Sequence, residues 1–254
     1  MNRKIVALAV LATPVLSVSA EEAKSPLTAS AELGMLYKTG NTKSADLKTG
    51  LDFKYEKDLW RSTLALDLLY KKTEQEVDGV NEFDTTDQKW TIESKTNYTL
   101  DQNSKNYVYG DVAYEDDRFG SFDNSTSVSA GWGRQWIKNE DHSLFADIGP
   151  GYKRDVTKAS EGVPSETLSS FIIQAQALYT TKINSHVEFE QKLSAKYAPK
   201  SGENSKYKAE SSITTKLIET LQLKFSLVVD HNTEVDEGKK KTDTQTAVTL
   251  VYSF

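Results

Sequence analysis

The stretch TDTQTAVTLVYSF, residues 242–254, closes the chain. Every second residue shares one face, which carries Thr244, Thr246, Val248, Leu250, Tyr252 and Phe254. A period of two predicts a β-strand with two different faces. A last strand of this kind can pair with the first strand, which removes both exposed edges of a sheet. The stretch therefore predicts a closed sheet, provided that the rest of the chain repeats the pattern.

The same alternation recurs along the chain. Between residues 45 and 55 the odd positions are mostly apolar, whereas the even positions are charged or small. Segments of this kind, separated by turn residues, predict twelve strands. Residues 72–86 lack the pattern and are predicted as a polar loop. The phase of residues 131–136 is ambiguous, which is compatible with a β-bulge.

The first twenty residues have the features of a secretory signal peptide. Arg3 and Lys4 precede an apolar run from Ile5 to Leu16, and small residues lead to Ala20. The run is too short to span a bilayer as a helix. We therefore predict cleavage after Ala20.

The remainder is predicted to be a short periplasmic leader, residues 21–26, followed by one β-barrel, residues 27–254. Without the signal peptide the chain has 29 of its 31 Lys and Arg residues against 37 Asp and Glu, a net charge of −8. This charge argues against a nucleic-acid partner. The chain has no cysteine, which excludes disulfides, thiolate nucleophiles and Cys-metal sites.

The spacing of turns and aromatics favours a membrane barrel. Predicted connections are short after even strands and longer after several odd strands, and aromatics end the apolar faces as two interfacial girdles. The predicted girdle residues are Tyr37, Tyr55, Trp60, Tyr70, Trp90, Tyr98, Tyr179, Tyr197, Tyr207, Tyr252 and Phe254. Strands of about ten residues tilted by roughly 45° rise about 23 Å, close to the height of the apolar band. We predict an all-β, antiparallel, up-and-down transmembrane β-barrel of twelve strands.

A barrel of this class lies in the outer membrane of a Gram-negative bacterium after removal of the signal peptide. Its expected partners are outer-membrane lipid, lipopolysaccharide and, during biogenesis, the barrel assembly machinery, and we expect a monomer. Lys71, Lys72 and the lysines at 239–241 are candidates to contact lipopolysaccharide phosphates. A soluble periplasmic β-barrel that binds a ligand is the alternative reading of the same strands.

Four short motifs resemble a known family. They are Gly40-Asn41-Thr42, Tyr55-Glu56 followed by Trp60-Arg61, the segment 114–119 (YEDDRF), and Gly149-Pro150-Gly151-Tyr152. In this order they resemble the YdiY-like family of salt-induced outer-membrane proteins, over essentially the whole mature chain. The resemblance implies an outer-membrane barrel without an established activity, associated with osmotic or acid stress.

The face opposite the apolar one carries charges of both signs. The predicted lumen-lining residues are Glu32, Asp46, Lys48, Asp52, Lys54, Arg61, Asp67, Lys89, Glu93, Lys95, Glu188, Glu190, Lys192, Lys208 and Glu210. One reading is a narrow water-filled pore whose charges set ion selectivity. The other is a lumen closed by ion pairs that satisfy one another across the strands. The sequence leaves both open.

Catalysis would need a nucleophile or an activated water beside a positioned base. The three histidines are His142 in a predicted turn, His186 at a strand start and His231 beside Asp230 at the predicted outer rim. The acidic segment 230–237 lacks the ligand spacing of a known calcium loop. We predict no catalytic residue, cofactor or metal site, and therefore a non-enzymatic narrow channel or a structural, stress-response protein. A hydrolase with a rim site stays an alternative.

Overall fold

The computed structural model describes residues 25–38, 44–77, 80–101, 105–159, 164–235 and 240–254. The predicted signal peptide, residues 1–20, and most of the predicted leader, residues 21–26, lie outside these residues. The turn at 40–42, Lys239 and the side chain of Tyr37 also lie outside them. Within the described residues, no helix is long and apolar enough to cross a bilayer.

The described chain forms twelve strands in one sheet. They are β1 (Leu27–Lys38), β2 (Ser44–Lys57), β3 (Trp60–Val77), β4 (Val80–Thr99), β5 (Asn106–Asp117), β6 (Phe122–Lys138), β7 (His142–Thr157), β8 (Thr167–Lys182), β9 (Val187–Tyr197), β10 (Lys206–Lys216), β11 (Leu221–Asn232) and β12 (Thr242–Ser253). Each strand pairs antiparallel with the next, and β1 pairs with β12, so the sheet is a closed barrel. The predicted twelve-stranded antiparallel barrel is confirmed.

The polarity of the two faces of the barrel is the reverse of that in a soluble protein. On β5, Val108 and Val112 are exposed, whereas Asp111 between them is buried. On β7, exposed Ile148 follows buried Asp147. Apolar side chains outside and polar side chains inside are typical of a barrel surrounded by lipid. The alternation read from the sequence is therefore the alternation between lipid and lumen.

The hairpin of β3 and β4 corrects one prediction. Residues 72–86 are not a loop, because β3 runs to Val77 and β4 begins at Val80. The ladder continues from the pair Lys72 and Thr85 to the tip, after a register shift. Apart from Val77, Val80 and Phe83, the residues from 72 to 86 are polar or glycine, so the period-two signal is weak although the backbone hydrogen bonds are made.

The register of β6 against β7 shifts between Gln135 and Ile137, which confirms the β-bulge considered for residues 131–136. A second shift, between Phe122 and Asn124, was not predicted. By the rule that periplasmic turns are the short ones, we call the end with the connections after even strands the periplasmic end. The other end is the outer end.

Candidate functional site

The inward face of the barrel carries all the charges predicted to line the lumen. They are Glu32, Asp46, Lys48, Asp52, Lys54, Arg61, Asp67, Lys89, Glu93, Lys95, Glu188, Glu190, Lys192, Lys208 and Glu210. Residues that pair across neighbouring strands share a face. Glu32, for example, pairs with Gly50, and Gly50 pairs with Asp67. Their contacts divide the lumen into regions that differ in how completely side chains fill them.

A charged bridge crosses the lumen near its outer end. Lys206 Nζ lies 2.7 and 2.8 Å from the two carboxylate oxygens of Glu115, although β6 to β9 separate their strands around the ring. Lys89 Nζ lies 3.2 Å from Glu115, 3.7 Å from Asp117 and 4.0 Å from Asp230. Because β4 and β11 are also on opposite walls, these five residues, the outer bridge, span the lumen in two directions.

The outer bridge keeps contact with water. The side chains of Lys89, Glu115 and Lys206 are 22%, 25% and 18% exposed. Charge-assisted hydrogen bonds of this length are strong, and partial hydration limits the desolvation cost that fully buried ion pairs carry. The outer bridge therefore crosses the lumen while its charges stay partly accessible to water.

A second cluster fills one side of the lumen nearer the periplasmic end. Lys95 Nζ donates hydrogen bonds to Asp147 Oδ2 at 2.6 Å and to Gln176 Oε1. The Tyr107 hydroxyl donates to the same Asp147 oxygen at 2.9 Å. The Lys95 ammonium also lies 4.8 Å from the ring centroid of Tyr109, within cation–π distance. We call these five residues the Lys95 cluster.

The two inward aromatics of this cluster were not predicted. Glycines on β6 make room for their rings: an added Cβ would lie 2.3 Å from Tyr107 Cζ at Gly133 and 2.8 Å from Tyr109 Cε1 at Gly131. The sequence held the signal, because the alternating outward face at 108–114 places residues 107 and 109 inward. The sequence did not show that Gly131 and Gly133, two positions apart on β6, would leave space for the two rings.

Further contacts extend the filled region between β5 and β9. Gln174 Nε2 donates to Asp111 Oδ1 at 3.1 Å, and Lys196 Nζ donates to Ser127 Oγ at 2.7 Å. Ile172 is completely buried among them. We call the inward faces of β4 to β9 the filled side of the lumen.

The remaining wall pairs its charges mainly along the wall. Lys224 Nζ lies 2.7 Å from Glu32 and 3.9 Å from Glu210. Lys54 Nζ lies 3.0 Å from Glu56 on the same strand, β2. These partners lie on the same or nearby strands, so their contacts run along the wall rather than across the lumen.

The predicted girdle aromatics with described side chains lie at the two ends of the outward face. At the periplasmic end the rings of Trp60 and Tyr98 lie 4.8 Å apart, and those of Tyr252 and Phe254 4.9 Å apart. Tyr55 and Tyr179 lie at the same end, and Tyr70, Trp90, Tyr197 and Tyr207 lie at the outer end. The girdle prediction missed Tyr114, whose ring packs 4.9 Å from that of Trp90.

Asp230 and His231, considered together for a rim site, lie on opposite faces of β11 and do not form an acid–base group. His231 Nδ1 lies 2.8 Å from Thr242 Oγ1, and its ring packs near an outward tyrosine. Asp230 belongs to the outer bridge, on the opposite face of β11. His142 and His186 contact hydroxyl groups at the periplasmic end. Two further acidic residues of the calcium hypothesis, at 236 and 237, lie outside the described residues.

Comparison with known proteins decides the family. The profile of a family described as "Protein of unknown function, DUF481" matches residues 31–254. The chain belongs to the DUF481 family. A relative of this DUF481 chain is the "Uncharacterized protein YdiY" of Escherichia coli (strain K12), 24% identical over 235 residues, which cover 91% of this chain and 85% of that protein. The predicted YdiY-like resemblance is thus confirmed.

Solved structures similar to this DUF481 chain are outer-membrane barrels of low sequence identity. The COG4313 outer membrane channel from Pseudomonas putida F1 has a TM-score of 0.49 at 11% identity, over 95% of this chain and 100% of that chain. The translocator domain of the autotransporter NalP from Neisseria meningitidis has a TM-score of 0.47 at 11% identity, over 90% of this chain and 88% of that chain.

Proposed function

We propose that the protein is a non-enzymatic outer-membrane barrel that acts as a narrow channel for ions or small solutes. The observation that supports this proposal is the outer bridge, which crosses the lumen while its side chains stay partly hydrated. A constriction built from Lys206, Glu115 and Lys89 excludes large solutes, and water around the charges provides a path for small ones.

The charges of the bridge predict weak ion preference, because two lysines face three carboxylates there. In the same proposal, the chain reaches the outer membrane after removal of residues 1–20, is inserted by the barrel assembly machinery, and works as a monomer in contact with lipopolysaccharide. The osmotic or acid-stress association implied by the family resemblance belongs to this proposal as well.

Single-channel conductance of the refolded protein in a planar bilayer tests the channel. We expect small steps for the natural protein and larger steps for the double variant Glu115→Ala/Lys206→Ala, which removes both ends of the bridge. Glu115→Ala alone leaves Lys89 and Lys206 without their shared carboxylate, so we expect its ion preference to move toward anions. Lys200→Ala is the matched control, because Lys200 lies between β9 and β10 with its side chain 79% exposed.

Silence of both the natural protein and the double variant, in barrels shown to be inserted, would contradict the channel. That result would favour a structural barrel closed by its own side chains.

A further inference from the structure

The hairpin of β3 and β4 extends beyond the strands on either side of it. β3 pairs with β2 only as far as Thr73, and β4 pairs with β5 only from Lys89. The two strands of the hairpin nevertheless pair with each other as far as the tip. We call this extension, residues 74–77 and 80–87, the outer ribbon. Within the described chain, each of its two strands has one edge that no other strand covers.

A turn after β5 leaves the edge of β4 open. The last backbone hydrogen bond on this side is the one that Arg118 N donates to Gln88 O at 2.9 Å. The Asp117 carboxylate accepts hydrogen bonds from the N–H groups of the two residues after Arg118, at 3.0 and 2.6 Å, and these bonds form a tight turn. Residues 80–87 therefore present the backbone N–H and C=O groups of one edge to their surroundings.

A groove lies along this open edge, between β4 and the turn. It has a volume of about 560 Å³ and is lined by Gln75, Asp84, Thr85, Thr86, Arg118 and Phe119. The Arg118 guanidinium donates to Gln88 Oε1 at 3.4 Å and lies 5.6 Å from the Phe119 ring centroid. This base therefore has contacts of its own beside the groove. The groove leaves room for a further strand next to β4.

The outer ribbon is strongly acidic. Residues 73–88 comprise six Asp or Glu residues and no Lys or Arg. The side chains of Glu82 and Asp84, which share one face of β4, are exposed. Because like charges repel across paired strands, a second copy of the ribbon is an unfavourable partner for this edge. A strand that carries Lys or Arg is attracted by the same charges.

We infer that the open edge of β4 binds an extended, basic peptide segment of another protein, which adds to the sheet as a further strand. Hydrogen bonds to the backbone of residues 80–87 hold the peptide, and Lys or Arg side chains on one of its faces meet Glu82 and Asp84. Phe83 lies on the opposite face of β4 and is 38% exposed, so an apolar side chain of the peptide packs against it.

The position of the edge suits a partner that comes from water. The outer ribbon lies beyond the outward rings of Trp90 and Tyr114, which pack against each other at the outer end of the apolar face. The open backbone groups therefore lie outside the apolar band, where a water-soluble peptide can reach them. This inference does not depend on ion conduction.

Binding of a synthetic peptide tests the inference. The probe is a fluorescent peptide in which Lys and Val alternate, added to phosphatidylcholine vesicles that hold the barrel. The control peptide has the same sequence with N-methyl groups on two adjacent central residues. Successive N–H groups of a strand point to opposite sides, so the control keeps the charge but cannot pair fully along either edge. Fluorescence anisotropy measures binding, and hydrogen exchange locates the protected amides.

We expect the alternating peptide to bind and to slow hydrogen exchange of the amides at 80–87, and the N-methylated peptide to do neither. Glu82→Gln/Asp84→Asn should weaken binding about tenfold, because two exposed charge pairs are lost. Asp123→Asn/Glu166→Gln makes the same change of charge at exposed positions of the outer end, on β6 and directly before β8. This matched control should bind the peptide as the natural protein does.

Several results would overturn the inference. The natural protein could fail to bind the alternating peptide, or bind both peptides equally, which would show attraction by charge without strand pairing. Unchanged exchange at 80–87 with the peptide bound, or equal weakening in the two double variants, would place the peptide elsewhere. Protection of these amides by calcium ions alone would show that a cation fills the groove. Disulfide-linked dimers of Phe83→Cys would show that a second copy covers the edge.

Discussion

The filled side of the lumen and the wall around the seam, where β1 pairs with β12, are built from the same alternating strands, yet their inward side chains make different contacts. On the filled side, buried polar groups bond to one another across several strands, as Lys95 does with Asp147 and Gln174 with Asp111. On the wall around the seam, the ion pair of Lys224 with Glu32 crosses β12, whereas Thr249 beside it is buried with no partner for its hydroxyl among the described residues. The contrast shows that inward side chains of distant strands bond to one another only where they reach across the lumen.

The physical reason is the reversed arrangement of polarity. Lipid surrounds the apolar face, so the inward hydrogen bonds and ion pairs, rather than a hydrophobic core, fix neighbouring strands in the filled side. Where these bonds are missing, only the backbone ladder joins the strands. At the seam that ladder is short, and the ion pair of Lys224 with Glu32 lies at its paired part rather than beyond it.

The largest expected effect comes from removing the centre of the Lys95 cluster. Asp147→Ala leaves Lys95 and the Tyr107 hydroxyl without their shared carboxylate, and breaking a buried ion pair in this way costs about 3 kcal/mol. Equilibrium unfolding in urea with lipid vesicles, followed by tryptophan fluorescence, measures this loss. Glu56→Ala is the control: Glu56 pairs with Lys54 and Arg61, but its side chain is 50% exposed, so its loss should cost less than about 1 kcal/mol. Equal losses would refute the view that the filled side holds the barrel.

A glycine substitution on the same side should have a smaller effect. At Gly133 an added Cβ would lie 2.3 Å from Tyr107 Cζ, so Gly133→Ala must displace the ring, at a cost of about 2 kcal/mol. Gly110→Ala, where an added Cβ meets nothing within 4 Å, should change stability by less than about 0.5 kcal/mol. Because ring and methyl compete for one space, Tyr107→Leu should reduce the cost of Gly133→Ala in the double variant. Additive effects in the same unfolding assay would exclude this contact as the cause.

Much of this architecture could be predicted from the sequence, because a strand between lipid and lumen shows its environment at every second residue. The strand number, the direction of each inward charge and the two girdles all follow from that period. The prediction failed at residues 72–86, where most residues are polar and the apolar alternation stops although the strands continue. A strand that is polar on both faces shows no apolar alternation, so the sequence pattern does not distinguish it from a loop.

Contacts across the lumen could not be predicted, because they depend on which strands the closed ring places opposite each other. Lys206 and Glu115 are far apart in the chain, and their meeting follows from the ring and the stagger of its strands. The incomplete seam was also invisible, since residues 242–254 have the same regular alternation along their paired and unpaired parts. The sequence showed that β12 is a strand, but the length of its ladder with β1 depends on the closure of the whole ring.

The smallest expected effect lies at the point where the seam opens. Gly34→Ala places a methyl group 2.7 Å from Thr249 Cγ2, and we expect a loss of about 1 kcal/mol, because the singly paired part of β12 can move away. Gly50→Ala is the matched control on the fully paired side of β1, where the nearest atom to an added Cβ is the Asp67 carboxylate oxygen at 3.2 Å. Hydrogen exchange of the amides at 248–250 should accelerate in Gly34→Ala and stay unchanged in Gly50→Ala, since only the first substitution pushes on a strand without a complete ladder. Equal protection of these amides in both variants would mean that the seam is as firmly closed as any other pair of strands, and the difference between the two sides of the lumen would then be one of side chains alone.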